Sequence, residues 1–109
     1  MQDNIRLAII YGSTREGRFC DIVVNWAASM IRRRADFECD IVDPLEFDLP
    51  ARHTGTDHAG LDRLKARLAG ADAFVVVTPE YNHSFPAALK FLIDSVAAEW
   101  QAKPVAFIS

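Results

Sequence analysis

Apolar residues along this chain fall into two alternating rhythms. Ile5 to Tyr11 is a short run of Ile, Leu and Ala without polar alternation, the pattern of a parallel strand buried on both faces. Over residues 18–34, Phe19, Ile22, Val23, Trp26, Met30 and Ile31 recur at helical spacing. Phe37 to Asp43 alternates more weakly and predicts a strand nearer a sheet edge. Pro44 to Gly60 carries two prolines, two glycines and two histidines and predicts a loop with at most a short turn of helix. Leu61, Leu64 and Leu68 mark a second helix, which Gly70 closes as a C-terminal cap. Asp72 to Thr78, centred on Ala73-Phe74-Val75-Val76-Val77, is the strongest strand signal. Ser84 is placed to cap a third helix, with Pro86 in its first turn, where a missing N–H does no harm. That helix presents Leu89, Ile93, Val96 and Trp100, and Lys103 to Ser109 reads as a fourth strand.

Strands alternating with helices predict an α/β fold: a doubly wound parallel sheet, right-handed crossovers, and helices on both faces in a three-layer α/β/α stack. Ligands of such sheets bind beyond the carboxyl ends of the strands, where the strand order reverses. That rule singles out the loops after the first and third strands. Neither an internal repeat nor a low-complexity segment competes with this reading.

Composition narrows the classes. With 109 residues there is room for a single domain, residues 1–109, and the 50% apolar and 25% charged content can build a core without disulfides or a structural metal. A net charge of −3 speaks against nucleic-acid binding, which wants a concentrated basic surface. The run Arg32-Arg33-Arg34 reads as a solvated helix end. No apolar stretch approaches the roughly 18 residues a membrane span needs, and Met1-Gln2-Asp3-Asn4-Ile5 lacks the features of a signal peptide. Cys20 and Cys39 form no CxxC pair, so a redox pair or zinc site is not expected. The expectation is a cytoplasmic protein with two free thiols.

The first singled-out loop reads Gly12-Ser13-Thr14-Arg15-Glu16-Gly17-Arg18-Phe19 and opens into a helix. Its chemistry suits phosphate: glycines free the backbone amides, Ser13 and Thr14 add hydroxyls, Arg15 and Arg18 add forked cationic donors, and the helix start adds a dipole. GxxxxGK[ST] is absent, which excludes a P-loop, and no middle glycine stands between Gly12 and Gly17 to make GxGxxG. The terminal phosphate of a mononucleotide fits better. A polar strand-to-helix turn with two incidental arginines is the plainer alternative.

The second loop, Thr78-Pro79-Glu80-Tyr81-Asn82-His83-Ser84-Phe85-Pro86, is stiffened by prolines at both ends. Backbone amides alternating with aromatic side chains suit a flat, amphipathic ring such as isoalloxazine. His83 reads as an ordinary loop histidine. On composition alone, surface or packing roles for Glu80 and Tyr81 stand level with a functional one.

Together the two loops resemble the NAD(P)H-dependent FMN reductase family, the flavodoxin-like group with azo-, chromate- and quinone-reductase relatives. The family's phosphate loop runs roughly GSxRxxSxN, against Gly12-Ser13-Thr14-Arg15 here, and its flavin loop runs TPEYN, against Thr78-Pro79-Glu80-Tyr81-Asn82 followed by Ser84 and Pro86. Ala88-Leu89-Lys90, Ile93-Asp94, Glu99-Trp100 and Lys103-Pro104-Val105 also look like family positions. Arg18 replaces a common serine and Cys20 a common asparagine, which bears on how the phosphate is held; Cys20 reads as a packing residue. The family continues past its fourth strand into a Gly-rich loop, a helix, a fifth strand and a last helix. The sequence in hand stops at Ser109, so the expectation is the N-terminal part of such a domain, with Val105 to Ile108 as an exposed apolar edge prone to association.

The resemblance implies an FMN-dependent oxidoreductase carrying hydride from NADPH (or NADH) to a quinone, azo compound, metal oxyanion or flavin, with the cofactor rather than any side chain performing the chemistry. It implies that Ser13, Arg15 and Arg18 hold the phosphate with Thr14, Phe19 and Cys20 nearby through the backbone, and that Pro79, Glu80, Tyr81 and Asn82 line the ring. A homodimer or homotetramer is implied by the same route. The competing readings are an FMN-binding electron carrier without nicotinamide activity and a non-catalytic fragment that keeps the fold. A receiver domain is disfavoured, because no acidic pair ends the first strand and the third strand ends in Thr78-Pro79.

Overall fold

The structure is a computed structural model and describes residues 4–50, 53 and 58–109. Four parallel strands form one sheet: β1 (Ile5–Tyr11), β2 (Phe37–Val42), β3 (Ala73–Val77) and β4 (Val105–Ile108), in the order β2-β1-β3-β4. β1 and β3 are central, and the residues read as buried runs are those that hydrogen-bond on both sides. Leu7 stands in register with Cys39 on one side and Ala73 on the other.

Alternation of side chains sends Ile9 and Tyr11 to one face of the sheet and Ala8 and Ile10 to the other. The first face is covered by α1 (Cys20–Arg32), whose Cys20, Val24, Ala27 and Ala28 are buried against Ile9, Tyr11 and Val77. The second face is covered by α2 (Ala59–Ala69) and α3 (Ala87–Asp94), through Leu64, Leu68, Leu89 and Leu92 packed around Phe74. Each of these leucines is nearly or fully sealed from water, and such burial contributes about 1.5–3 kcal/mol per side chain. This is the three-layer, flavodoxin-like arrangement.

Two local expectations need correction. Ser84 does not cap α3: Pro86 occupies the cap position, and Ser84 is paired through its own N–H and carbonyl with Tyr81. α3 also ends at Asp94, before Val96 and Trp100. The Ser95 hydroxyl donates to the Phe91 carbonyl, and the Glu99 carboxylate accepts the Ala97 N–H, restarting the chain as a 3-10 turn at Ala98–Trp100. Trp100 still reaches the core, edge-on to Phe74 with ring centroids 4.8 Å apart. Gly70 does cap α2, but at an ordinary right-handed φ of −75°, so its position there does not use glycine's left-handed freedom. The loop expected over Pro44 to Gly60 begins with a 3-10 turn at Pro44–Glu46; residues 51, 52 and 54–57 lie outside the described residues.

β4 is an edge strand among the described residues, with Val105 44% and Phe107 66% exposed. The outer face of α1 carries a second apolar stripe of Phe19, Ile22, Trp26 and Met30.

Candidate functional site

Strand order reverses between β1 and β3, and the loops that follow them separate there. Gly12 directly follows β1 and lies against β3, donating its N–H to the Val77 carbonyl at 2.7 Å. A Cβ on Gly12 would lie 2.7 Å from that oxygen and 2.9 Å from Thr78, so only glycine lets the two backbones approach this closely. Five residues on, Gly17 turns the chain into α1 at φ +66°, a conformation side chains disfavour.

Between the loops lies a cleft of about 440 Å³, within the range of small-molecule sites. Ser13, Arg15, Arg18, Phe19, Cys20, Pro79 and Tyr81, all singled out in the sequence, line it together with Gly17, Thr78 and Ser109. Thr14 instead lines a neighbouring depression, together with Pro44, Leu45 and Phe91. Glu80 and Asn82 do not line the cleft. The Glu80 carboxylate accepts the His83 N–H, while Asn82 and His83 form the corner of a tight turn at φ +53° and +62°. Tyr81 and Ser84 close that turn by exchanging N–H···O bonds of 2.9 and 3.0 Å.

Ser13 is the one buried polar residue of the described core, 1% exposed. Its hydroxyl stands 3.1 Å from the Tyr81 hydroxyl and accepts the Arg15 N–H at 3.2 Å. A hydroxyl has one proton to give and two lone pairs; when Tyr81 donates, the Ser13 proton is left for a ligand. Arg15 is exposed, its guanidinium 5.8 Å from the centroid of the Tyr81 ring. Among the described residues it pairs with no carboxylate.

Arg18 is placed differently. Its side chain is 9% exposed, and its guanidinium lies over the Tyr11 ring at 3.9 Å. It donates to both carboxylate oxygens of Asp43, to Asp21 and to the Ser13 carbonyl. The hydrogen bonds to Asp43 are the main reason its already high pKa is raised further. Burial first, and then the nearby Asp21, push the Tyr11 phenol up to about 12. Burial likewise raises the Cys20 thiol, whose Sγ points at the Val77 carbonyl, 3.4 Å away; Cys20 is a packing residue of α1.

Sequence reasoning missed Asp43 and Tyr11. Tyr11 ends β1 at the switch point and Asp43 directly follows β2, so the rule that points to carboxyl ends could have found them had it been applied to side chains and to β2.

The sequence matches the family described as NADPH-dependent FMN reductase over residues 5–109. This chain belongs to that family. The family uses FMN, with NAD(P)H as electron donor. Similar proteins include an NAD(P)H-dependent FMN reductase of Schizosaccharomyces pombe, 34% identical over 95% of this chain and 56% of its own length. A 2-hydroxy-1,4-benzoquinone reductase of a Burkholderia species is 32% identical over 88% of this chain and 52% of its own. Among solved structures, the flavoenzyme NAD(P)H:acceptor oxidoreductase FerB of Paracoccus denitrificans superposes with a TM-score of 0.80 at 26% identity, over 95% of this chain and 59% of that one. The chain thus spans about half the length of the curated relatives it matches.

The residues present fit the family's cofactor. Among the described residues, the amides of Thr14, Glu16, Gly17 and Arg18 donate to no acceptor. They precede the start of α1, where the Ile22 amide is already satisfied by the Phe19 carbonyl, and Arg15 supplies a cation beside them. Orphan donors at a helix N-terminus are a match for a phosphate.

Proposed function

We propose that this chain carries the FMN-binding loops of an NAD(P)H-dependent oxidoreductase that reduces a small-molecule acceptor, a quinone being the first candidate. The observation that carries the reading is one juxtaposition: Arg15, the unpartnered amides of the first loop, and Tyr81 meet in the cleft at the strand-order switch. The relatives named as quinone and FMN reductases support the same class.

In this reading the amides of residues 14 and 16–20, the Ser13 hydroxyl and Arg15 bind the phosphate of FMN. Pro79 and Tyr81 flank the ring, and the Glu80-held turn with Asn82 presents backbone along the ring's polar edge. When bound, FMN supplies the hydride chemistry between nicotinamide and acceptor. The chain orients the cofactor and screens it from water; no side chain is asked to take or give a proton. NADPH is the favoured donor. A cytoplasmic setting belongs to the same proposal, as does self-association through the apolar stripe of α1 and the β4 edge, which light scattering on a sizing column reads directly.

Stopped-flow mixing of the FMN-loaded chain with NADPH tests it. Flavin bleaching that saturates with NADPH, followed by reoxidation on adding a quinone, is the expected result. Bound FMN that stays oxidised under NADPH would reject the reductase in favour of an electron carrier.

A further inference from the structure

The arginine nearest to Ser13 is committed to other partners. The Arg18 guanidinium is sandwiched between the Tyr11 ring at 3.9 Å and two carboxylates, and four of its five N–H groups have acceptors: Asp21 at 3.2 Å, the Ser13 carbonyl at 2.7 Å, and Asp43 twice, one bond at 2.9 Å. One positive charge against two negative ones leaves this cluster net negative, so an incoming phosphate dianion meets no spare cation there. Asp43 is itself anchored. It follows the end of β2 and accepts the Leu45 N–H at 3.1 Å, fixing the turn that opens at Pro44.

What Arg18 does hold is the Ser13 carbonyl. In a planar trans peptide the C=O and the following N–H point in opposite directions. A carbonyl pinned toward Arg18 therefore fixes the Thr14 N–H pointing away from it, and that amide has no acceptor among the described residues.

We propose that Arg18 is a positioning residue rather than an anion ligand: braced by Asp43 at the end of β2, it aims the Thr14 amide, while Arg15 and the loop amides meet the anion. Support from a second layer of contacts is a common requirement of preorganised sites. The inference rests on the FMN reading above for the identity of the anion, but not for the geometry of the loop.

Asp43→Asn separates the two roles, because they demand opposite signs. Were Arg18 a phosphate ligand, removing the competing carboxylate would free its charge and leave FMN binding tighter or unchanged. As a positioning residue it loses its brace, and FMN binding weakens about five- to tenfold in Asp43→Asn, in the same direction as in Arg18→Gln. The double variant then binds no more weakly than Arg18→Gln alone.

The flavin-free chain supplies a second readout. The amide NMR resonance of Thr14 is expected to shift in Asp43→Asn as it does in Arg18→Gln, although residue 43 lies on another element. A Thr14 resonance unmoved by Asp43→Asn, or tighter FMN binding in that variant, overturns the proposal. Failure of the wild-type chain to bind FMN would instead reject the functional reading, leaving the resonance test to decide the role of Arg18.

Discussion

The hydroxyls of Ser13 and Tyr81 stand 3.1 Å apart although 68 residues separate them in the chain. They tie the loop after β1 to the loop after β3 by a side-chain hydrogen bond, and Ser13 is sealed from solvent where it forms. Tyr81→Phe removes this link and leaves the Ser13 hydroxyl with the Arg15 amide alone. A lost hydrogen bond of this kind costs about 1 kcal/mol. Urea unfolding is expected to show a lower midpoint with an unchanged slope.

Gly12→Ala places a methyl group 2.7 Å from the Val77 carbonyl, where neither backbone has room to give. Overpacking of this kind costs about 1–3 kcal/mol. Thermal denaturation is expected to register the loss. Gly17→Ala meets no neighbouring atom and is strained only by its φ of +66°. The smaller loss expected there separates a packing requirement from a conformational one.

His83 occupies a left-handed position at φ +62°, directly after Asn82 at φ +53°. Turns with two left-handed central residues favour Asn-Gly, and a residue with a Cβ is disfavoured there by about 1 kcal/mol. His83→Gly is therefore expected to raise stability by up to about 1 kcal/mol, less the entropy a glycine adds to the unfolded chain. His83→Val is expected to lower it. Equal melting temperatures for the two variants would contradict this account of the turn.

Tyr11 gives the fold an alkaline limit. Its folded pKa is raised from 10.0 to about 12, so between these values the native chain holds a proton that the unfolded chain releases. The contribution is fully present below pH 10 and is lost as pH rises toward 12. The Cys20 and Cys39 thiols, also raised by burial, act in the same direction from their lower starting value. Stability measured across this range is expected to fall with pH, and Tyr11→Phe to flatten the upper part of that fall. An unchanged slope in Tyr11→Phe would contradict it.

Most of the fold was legible because it depends on periodicity. The buried runs of β1 and β3 and the spaced leucines of α2 are written in single segments, and the strand-order rule then located the cleft. What escaped was non-local or set by competition for hydrogen bonds. Nothing in the residues around Arg18 reveals that Asp43, 25 residues away, will meet it. Ser84 has the composition of a helix cap, yet its backbone closes a turn with Tyr81. Val96 and Trp100 continue the apolar face of α3 in sequence but leave the helix, where the Glu99 carboxylate takes the Ala97 N–H and the Trp100 indole N–H takes the Ile93 carbonyl, the two groups that would have bonded each other in a longer helix. The family resemblance puts Glu80 along the ring, but no sequence signal announces that its carboxylate accepts the His83 amide and so holds the turn.

The central claim is that the loop after β1 binds the phosphate of FMN, with Arg15 supplying its charge. Parallel fluorescence titrations with FMN and riboflavin, on the wild-type chain and on Arg15→Ala, address it most directly, since the two ligands differ only in the phosphate. Saturable binding of about one FMN per chain is expected. FMN should be clearly preferred over riboflavin, and Arg15→Ala should lose most of that preference while riboflavin affinity stays the same. Equal affinity of the wild-type chain for the two ligands, or an FMN preference untouched by Arg15→Ala, would contradict the claim.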